Sequence, residues 1–523
     1  MPSGKMSRRG LFRSGAVLAA AGVSASAPRS LRAAPSHALE VGGNLYESIG
    51  VTPLVNCRGT FTIITGSQTL PEVKRAMEAA SHAYVHMDEL MEAVGQRLAD
   101  LTKAEWGIVT AGCAAALTHA TAACIAGGDP EKMQRVPNLT GLKSEVVVPR
   151  YSRNEYDHAV RMLGVKMVEV ETAAQFEAAI SPRTAMVMIL SCPAAERGEL
   201  SIENACAIAR RKGIPVIVDA AAEDLTIPNI HLQHGANLVA YSGGKCMRGP
   251  QAAGLLLGQK DLVRAAWINS APHHAFGRSL KAGKEEIMGM LAAVEMWVKR
   301  DHEAEWKQWQ GWLDHIAAQA TQVPGVTTEI LQPEDLSNHA PRLRIYWDAE
   351  RIGITGSEAE EILWHGQPRI AVGGGSGTRR DHAPSSLTIM PYMMMPGDDE
   401  IAGASIRKLL ANPPHISVPE PEPPGVDVAG EWTANLMFIS GSSRHRFSIE
   451  QHDGKLSGVH HGDILNGKLT GEVEGRRVTM RSAQRIEGTT LHFEFSADVV
   501  SGGMQGAVKL GEYGQANWNA QRA

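Results

Sequence analysis

The feature that most constrains the fold of this sequence is a regular alternation, between about residues 46 and 258, of short apolar runs with stretches of helical periodicity. Residues 89–103 carry apolar side chains at helical spacing, and residues 114–126 form a second helical stretch of small side chains. Because strands that alternate with helices build parallel sheets covered on both faces, we expect an α/β fold with a mostly parallel sheet. The strand candidates are residues 145–149, 165–170, 185–190, 214–219, 237–241 and 253–257.

The rest of the chain follows other patterns, and 523 residues are enough for several domains. A long helical stretch, residues 284–319, precedes a smaller α+β region and then a linker rich in proline and glutamate. Beyond the linker, short alternating runs separated by Asp-Gly, Asn-Gly and Glu-Gly turns predict a separate all-β barrel or sandwich. The expected limits are residues 35–310 for an N-terminal arm and the large domain, 311–412 for the small domain, 413–426 for the linker and 427–523 for the β module.

The first 34 residues have the composition of an export signal. Arg8 and Arg9 precede a short apolar run at residues 15–23, and small residues follow it. This order is typical of a twin-arginine signal peptide cleaved after Ala27 or Ala34, and it predicts an exported or periplasmic protein. A basic disordered tail is the alternative. The apolar run is too short to span a bilayer and no other stretch approaches a transmembrane span, so we expect no stable membrane insertion.

Charge and cysteine content argue against nucleic-acid binding and against a metal site. The net charge is −5, and residues 1–34 contribute six basic and no acidic side chains, so the remainder is more acidic still. An acidic chain without a basic run is a poor nucleic-acid binder. The six cysteines lack a CxxC pair and are expected to be buried thiols. The pairs His273-His274 and His460-His461 have no third ligand at a recognisable spacing, so no metal is expected.

An aspartate and a lysine follow two of the strand candidates. Asp219 closes the candidate at 214–219, and Lys245 lies just past the candidate at 237–241, on a glycine-containing loop. In open α/β sheets, ligands bind at the carboxyl ends of the strands. A lysine amine forms the Schiff base with pyridoxal 5'-phosphate (PLP), and a buried carboxylate keeps its pyridine nitrogen protonated. The pair therefore predicts PLP as the cofactor, with Lys245 and Asp219 as catalytic residues.

Two further elements suit the phosphate group of that cofactor. Residues 110–116 open a small-residue helix, and the free N–H groups and dipole at a helix start favour an anion. Gly112 and Cys113 are the binding candidates there. Ser242, three residues before the lysine, offers a hydroxyl group. Close helix packing alone is the alternative explanation of the small residues.

The segments 46–51, 55–60, 66–67, 110–112, 153–158, 218–220, 242–245 and 248–251 carry a family resemblance. On these segments the chain resembles fold type I PLP-dependent enzymes. It looks most like the branch that contains bacterial selenocysteine synthase and D-glucosaminate phosphate ammonia lyase. The lysine segment, Ser-Gly-Gly-Lys at 242–245, is the most specific of them. The resemblance extends over about residues 44–412 and leaves the β module outside.

The resemblance implies a role for each candidate. Lys245 would form the Schiff base and then remove the α-proton, and Asp219 would pair with the pyridine nitrogen. Gly112, Cys113 and Ser242 would hold the phosphate. Because fold type I sites are built between two chains, the resemblance also implies a homodimer or a higher even oligomer.

Three more residues have more than one interpretation. His158 stacks on the ring face of the cofactor, or it is an ordinary helix histidine. Arg369 binds the substrate carboxylate through two parallel hydrogen bonds, or it is a surface strand arginine. Arg248 is the second candidate for substrate binding, and the cofactor phosphate or the partner subunit are its alternatives.

The resemblance also bears on the substrate. Selenocysteine synthase has an additional N-terminal region that helps to bind its tRNA, whereas only a short arm precedes Tyr46 here, which argues against a tRNA substrate. A small amino acid or amino sugar acid is therefore expected, with elimination of the ammonia-lyase type as the reaction. Racemisation or group transfer is the enzymatic alternative. A PLP-fold protein that has lost catalysis and binds partners through the β module is the non-enzymatic one.

Overall fold

The structure, a computed structural model, describes residues 39–43, 45–377, 384–417 and 422–523. The chain divides into two compact units, Met1–Leu54 and Val55–Ala523. In the described part of the first unit, Glu47–Ile49 form a single 3-10 turn that ends at Gly50, where φ is 78°. The predicted export signal lies outside the described residues, as do residues 418–421 of the linker.

Strands and helices alternate in the second unit as far as residue 268. The strands are β1 (Val55–Asn56), β2 (Trp106–Thr110), β3 (Glu145–Pro149), β4 (Lys166–Val170), β5 (Thr184–Leu190), β6 (Val216–Asp219), β7 (Leu238–Ser242) and β8 (Gly254–Gly258). The helices are α1 (Pro71–Ser81), α2 (Met87–Thr102), α3 (Gly112–Ala126), α4 (Pro130–Arg135), α5 (His158–Arg161), α6 (Ala173–Ala179), α7 (Ile202–Arg211), α8 (Ile230–Gln233) and α9 (Lys260–Ile268).

Seven of these strands form one sheet across residues 106–258, in the order β2-β8-β7-β6-β5-β3-β4. The strands from β3 to β7 pair in parallel, whereas β8 runs antiparallel to both of its neighbours, β7 and β2. The expected α/β fold with a mostly parallel sheet is thus confirmed. Apart from Glu145 and Asp219, the central strands β3 and β6 are apolar, and both are buried along their whole length, as is typical of a sheet covered by helices on both faces.

A smaller α+β region follows the large sheet. Helix α10 (Lys284–Lys299) still packs on the core of the large sheet. The helices of the smaller region are α11 (His302–Ala320), α12 (Ala349–Ile352), α13 (Gly356–His365) and α14 (Asp398–Ala411). Its strands are β9 (Thr327–Leu331), β10 (Arg342–Trp347), β11 (Ile370–Ala371), β12 (Gly373–Ser376) and β13 (Ser385–Ile389). The order β12-β13-β10-β9 makes an antiparallel sheet, and β11 pairs in parallel with β1. The apolar face of this sheet packs with α11, α13 and α14 in a core of its own.

The C-terminal module is a closed barrel of eight antiparallel strands. They are β14 (Gly430–Met437), β15 (Ser442–His452), β16 (Lys455–His461), β17 (Asn466–Glu474), β18 (Arg477–Ile486), β19 (Thr489–Val500), β20 (Gly503–Lys509) and β21 (Gln515–Arg522). Each strand pairs with the next, and β21 closes on β14. Buried and exposed residues alternate along the strands, because successive side chains of a strand point to opposite faces. Phe447, Phe495 and Trp518 fill the interior with edge-to-face ring contacts.

Within the described part of the chain, no helix combines the length and the apolar character needed to cross a bilayer.

Candidate functional site

Parallel strands end side by side at the carboxyl edge of the large sheet, and Asp219 is the last residue of β6. It is in register with Leu190 of β5 and Ala240 of β7. Only 2% of Asp219 is exposed, and its Oδ1 accepts a hydrogen bond from the backbone N–H of Ala221 at 3.1 Å. Burial raises the pKa of this carboxyl, while the Ala221 N–H and the Lys245 ammonium act in the opposite direction. A buried carboxylate at this edge is the partner that a protonated pyridine nitrogen requires.

Lys245 is half-buried on a tight loop that follows β7. The backbone N–H of Gly243 donates to the carbonyl of Ala253 at 2.8 Å, which fixes the loop against the start of β8. A Cβ on Gly244 would lie 2.7 Å from the Cα of Gln251, so only glycine fits there. The paired glycines therefore hold the lysine at a fixed position at the carboxyl end of β7.

The start of α3 is open toward the same edge. Gly112, its first residue, has φ +81°, and nothing lies within 4 Å of the position where a Cβ would be. Gly254 of β8 packs against this helix start. A Cβ on Gly254 would lie 2.3 Å from the carbonyl carbon of Gly112, so the absence of a side chain at Gly254 lets α3 begin close to β8. The preceding residue, Ala111, makes no side-chain hydrogen bond to the helix. Uncapped N–H groups at the start of a 15-residue helix suit a phosphate.

Strand register brings Ser242 to the edge where α3 begins. Gly254 of β8 is in register with Thr110 of β2 on one side and with Ser242 of β7 on the other. Because neighbouring strands are about 4.8 Å apart, Thr110 and Ser242 are separated by about 10 Å. Ser242 thus lies within two strand spacings of the helix start, as a shared phosphate site requires.

Cys113 contacts the carboxylate rather than open space. Its thiol donates to Oδ1 of Asp219, with a sulfur–oxygen distance of 3.5 Å. Burial and the charge of Asp219 raise the pKa of this thiol well above its ordinary value, and Lys245 acts in the opposite direction. The thiol therefore stays protonated as a donor to Asp219. Only the backbone N–H of Cys113 remains for the predicted role in phosphate binding.

Ser67 is a site residue that the sequence did not single out by itself. Its backbone N–H donates to the carbonyl of Gly244 at 3.0 Å, which places it against the lysine loop. Ser67 is 8% exposed, and its Oγ has no hydrogen-bond partner among the described residues. A buried hydroxyl without a partner costs free energy. Ser67 is thus a second hydroxyl available to a bound polar group.

The segment 153–158 borders the site. Thr118 of α3 donates to the carbonyl of Ala159 at 2.7 Å. This hydrogen bond anchors α5, which begins at the last residue of the segment, on α3. Tyr156 has its pKa raised, first by burial and then by the charge of Asp219. His158, the predicted ring-stacking residue, begins α5 and is exposed. Tyr156 is therefore a second aromatic candidate beside the cofactor.

The barrel contacts this same segment. Nη2 of Arg153 donates to Oε2 of Glu487 in the turn between β18 and β19 at 2.6 Å, while Nε of Arg153 pairs with Asp157. The Arg153 side chain is 2% exposed. A Cβ on Gly488 would lie 2.0 Å from the carbonyl oxygen of Asn154, so the turn packs closely on the segment. The sequence predicts a separate module, and the structure adds this direct contact beside the site.

A buried polar network lies behind Asp219. The Glu223 carboxylate accepts from the hydroxyl of Ser191 and is 2.5 Å from Nε2 of His231. All three residues are less than 9% exposed. The charge of Glu223 is one of the causes that raise the pKa of Asp219. Sequence reasoning missed this network, because Ser191 follows β5 whereas Glu223 and His231 follow β6, and the three share no motif.

Arg248 follows Lys245 by three residues, and its side chain contacts Gln68 and Met395. Its Nε donates to the carbonyl of Gln68 at 3.0 Å. It also lines a cavity of about 810 Å³ together with Cys246, Arg300, Trp309 and other residues of α10, α11 and the segment that precedes α14. Neither Lys245 nor Asp219 lines this cavity. Burial lowers the pKa of Arg248.

Arg369 lies in the small α+β region, just before β11. Its guanidinium stacks over the ring of Trp364 at 5.5 Å, and its carbonyl accepts from the backbone N–H of Val55 at 2.9 Å. Among the sequence-predicted residues, the structure gathers Lys245, Asp219, Cys113, Gly112 and Ser242 along one sheet edge. Arg248 lies at the cavity of about 810 Å³, and Arg369 lies in the small α+β region.

The residues on this edge fit PLP. A lysine amine, a buried carboxylate and an uncapped helix start lie along one edge of a mostly parallel sheet, and the unpartnered hydroxyl of Ser67 lies against the lysine loop. These are the groups that bind an aldehyde, a pyridinium nitrogen and a phosphate. Fold and site together define a PLP-dependent enzyme of fold type I.

Comparison with known proteins leads to the same class. The family model for Cys/Met metabolism PLP-dependent enzymes matches residues 58–261. D-glucosaminate-6-phosphate ammonia lyase of Salmonella typhimurium is 30% identical over 62% of this chain and 88% of its own length. The 5'-C-glycyluridine monooxygenase-decarboxylase of a Streptomyces species is 30% identical over 66% of this chain and 86% of its own. L-seryl-tRNA(Sec) selenium transferase of Moorella thermoacetica is 24% identical over 66% and 73%.

A solved structure of D-glucosaminate-6-phosphate ammonia lyase superimposes with a TM-score of 0.62 and 27% identity, over 70% of this chain and 98% of that one. The chain belongs to the family of fold type I PLP-dependent enzymes that includes D-glucosaminate-6-phosphate ammonia lyase. The predicted cofactor class and the resemblance to the selenocysteine synthase and ammonia lyase branch are thereby confirmed.

Proposed function

We propose that this enzyme eliminates ammonia from a small amino acid or amino sugar acid that carries a hydroxyl group beside the α-carbon. The reaction converts a 2-amino-3-hydroxy acid into a 2-oxo acid and ammonia. The Cα–H, Cβ–O and C–N bonds break, and the water lost from Cβ is regained when the C–N bond is hydrolysed, so no oxidant is consumed. The observation that carries the proposal is 30% identity over 88% of an ammonia lyase.

Each site residue has its own role in the proposed reaction. PLP, when bound, withdraws electrons from the α-carbon of the amino acid. Lys245 Nζ takes the α-proton, and as an ammonium it has a proton for the departing hydroxyl. Asp219 holds the proton at the pyridine nitrogen, and Cys113 fixes that carboxylate by its hydrogen bond. The start of α3 and Ser242 bind the phosphate.

Arg369 is the residue that we propose for the substrate carboxylate. A guanidinium binds a carboxylate through two parallel hydrogen bonds, and the cation–π contact with Trp364 limits the movement of this side chain. Arg248 is assigned instead to the lysine loop and the 810 Å³ cavity, since its Nε already donates to Gln68. Tyr156 and His158 are the aromatic candidates for the exposed face of the cofactor.

A second reaction is supported by a different observation. The Streptomyces monooxygenase-decarboxylase has the same identity to this chain as the ammonia lyase, over a similar share of its length. An oxidative decarboxylation consumes dioxygen and releases carbon dioxide, whereas the proposed elimination does neither. Measurements of dioxygen uptake and carbon dioxide release can therefore distinguish the two reactions.

The test is a screen of 2-amino-3-hydroxy acids with the full-length protein. The panel includes serine, threonine, and D-glucosaminate with and without its 6-phosphate. Ammonia and 2-oxo acid are expected in equal amounts, without uptake of oxygen. Lys245→Ala should abolish product formation, whereas Lys281→Ala, which removes an exposed lysine, should keep it. Oxygen consumption matched by carbon dioxide would favour the second reaction, and no product from any substrate would contradict the proposal.

We further propose that the enzyme is a homodimer. The fold type I resemblance supports this, as do large apolar side chains at the surface, with Ile63 84% exposed and Tyr84 fully exposed. Sedimentation should give twice the chain mass. Combined Ile63→Glu and Tyr84→Glu substitutions should shift the protein toward monomer, whereas Ile439→Glu on the barrel should not.

Export through the twin-arginine route is the third proposal. That route carries folded proteins, which suits a chain whose cofactor residues, from Gly112 to Lys245, meet only after folding. Replacing Arg8 and Arg9 by lysine should leave the protein in the cytoplasm with an unchanged PLP absorption spectrum. Cell fractionation and N-terminal sequencing provide the measurement, and a native protein that keeps Met1 in the cytoplasm would contradict the proposal.

A further inference from the structure

One end of the barrel encloses a cavity of about 450 Å³. The loops at this end connect β14 to β15, β16 to β17, β18 to β19 and β20 to β21. We name this cavity the barrel mouth, and its apolar walls include Phe438, Leu465, Leu491, Phe493 and Leu510. Eight-stranded barrels have an interior that either is filled by side chains or holds one small ligand. Here aromatic rings fill the centre and the mouth stays open.

The rim of the barrel mouth is apolar as well. Ile439 is fully exposed, Ile464 is 80% exposed and Tyr513 is 64% exposed, although each also lines the cavity. Clustered apolar side chains around a concave surface mark a binding site more often than isolated ones do. The rim thus extends the apolar wall outward from the barrel.

A chain of buried hydrogen bonds lies at the floor of the mouth. Gln484 Nε2 is 3.1 Å from Nδ1 of His460 and 3.4 Å from the carbonyl oxygen of His460. His460 Nε2 is in turn 2.7 Å from Nδ1 of His445. All three residues are at most 6% exposed. His445 and Gln484 line the cavity.

These hydrogen bonds determine which ring nitrogen of each histidine carries the proton. The Gln484 nitrogen faces a carbonyl oxygen, so it is the amide N–H₂ group and donates to both acceptors. His460 Nδ1 is therefore an acceptor, and the proton of its neutral ring is on Nε2. That N–H donates to His445 Nδ1, which in turn places the His445 proton on Nε2. Burial lowers the pKa of both histidines, so both rings are neutral at pH 7.

Nε2–H of His445 is thus a donor on a residue that lines the mainly apolar mouth. It has no hydrogen-bond partner among the residues that the structure describes. Because an unpaired donor in an apolar environment costs free energy, an acceptor from a bound molecule would stabilise this arrangement. A carboxylate is disfavoured as that acceptor, because the negative charge of Asp463, which also lines the mouth, would repel it. A cation is disfavoured as well, because it would face the positive end of the N–H bond.

We infer that the barrel mouth binds a neutral, mainly apolar small molecule that presents one acceptor oxygen, of the carbonyl type, to Nε2 of His445. The volume of the mouth is in the range of small-molecule sites. This site is distinct from the PLP edge, and it lies at the end of the barrel whose Glu487 contacts Arg153. The inference does not rest on the proposed elimination reaction.

The test uses the full-length protein and the fluorescent ketone 6-propionyl-2-(dimethylamino)naphthalene, which is neutral and reports the polarity around its carbonyl. Saturable binding of one molecule per chain with a blue-shifted emission is expected. Leu465→Trp, which fills the mouth, should weaken binding at least about tenfold. The matched Val459→Trp on the outer face of β16 should leave binding unchanged. Absence of saturable binding, or equal binding by the two variants, would overturn the inference.

The acceptor contact has its own control. His445→Phe should weaken ketone binding by about three- to tenfold, the range for one hydrogen bond, and His445→Gln should restore part of it. N-phenyl-1-naphthylamine, which has no oxygen, should bind wild type and His445→Phe alike. Cooperative thermal unfolding monitored by circular dichroism checks that each variant is folded. Ketone binding that His445→Phe leaves unchanged would overturn the assignment of His445.

Discussion

Arg153 and Glu487 are 334 positions apart in the sequence, and their side chains form an ion pair with an Nη2–Oε2 distance of 2.6 Å. The arginine precedes Tyr156 by three residues in the segment beside Asp219, and the glutamate lies in a barrel turn. This pair joins the module that lies outside the family resemblance to the border of the PLP site. The barrel is therefore placed to influence the order of that segment.

Removing the charge of Glu487 should loosen this contact. Glu487→Gln is expected to reduce stability by only about 0.5–1 kcal/mol, because the glutamate is 43% exposed and Arg153 keeps Asp157 and Glu169 as partners. Hydrogen exchange of residues 153–158 should become faster. The matched Glu494→Gln on β19, whose nearest cation is Arg481 at 3.8 Å, should not change that exchange. Identical exchange in both variants would show that the pair does not order the segment.

Borohydride reduction should attach the cofactor to one peptide, the one that contains Lys245. The lysine is half-buried beside a buried carboxylate, whereas the nearby Lys281 is exposed on a loop. Lys245→Ala should lose both the label and all turnover. Peptide mass spectrometry gives the answer, and a label on Lys281 or Lys284 would contradict the assignment.

Asp219→Asn should leave the fold nearly intact and reduce turnover at least about a hundredfold, the order expected when a group that stabilises developing charge is lost. Asparagine keeps the shape and can still accept from the Ala221 N–H, but it cannot hold a protonated pyridine nitrogen. Circular dichroism and steady-state kinetics are the measurements. Turnover near the wild-type rate would assign the pyridine partner to another residue.

The strands and helices that could be predicted from the sequence are those with a pattern contained in a few consecutive residues. The strand at residues 145–149 was predicted to the residue, because it is a short apolar run bounded by turn signals. Trp106–Thr110 was not predicted as a strand, since Gly107 interrupts a five-residue run that directly precedes a helix. The stretch 284–319 proved to be two helices, and Asp301, which accepts from the N–H of Ala304, caps the start of the second.

The candidate site was predictable to a similar degree. Asp219 ends a strand and Lys245 follows one, so their proximity could be expected from the parallel sheet. Ser67 and Tyr156 could not, because their place depends on loops that approach the edge only in three dimensions. The role of Cys113 also changed, since a side-chain direction at a helix start is not encoded in residue spacing.

Acid should destabilise the barrel through His460. Burial lowers its pKa from 6.5 to about 3, and the neighbouring His445 and His461 act in the same direction. In the unfolded chain this histidine takes up a proton below about pH 6.5, whereas in the barrel it stays neutral down to about pH 3. The unfolded state therefore binds more protons between those values, and the free energy of unfolding falls as the pH falls, by up to about 1.4 kcal/mol per pH unit. Above pH 6.5 this contribution is constant.

Hydrogen exchange of peptides from β15 and β16 at pH 7 and pH 5, corrected for intrinsic rates, measures the effect on the barrel alone. His460→Gln removes one of the two buried histidines with a lowered pKa and should reduce the pH dependence. His452→Gln replaces an exposed histidine on β15 and should retain it. Equal pH dependence in the two variants would mean that His460 is not the group whose protonation opens the barrel.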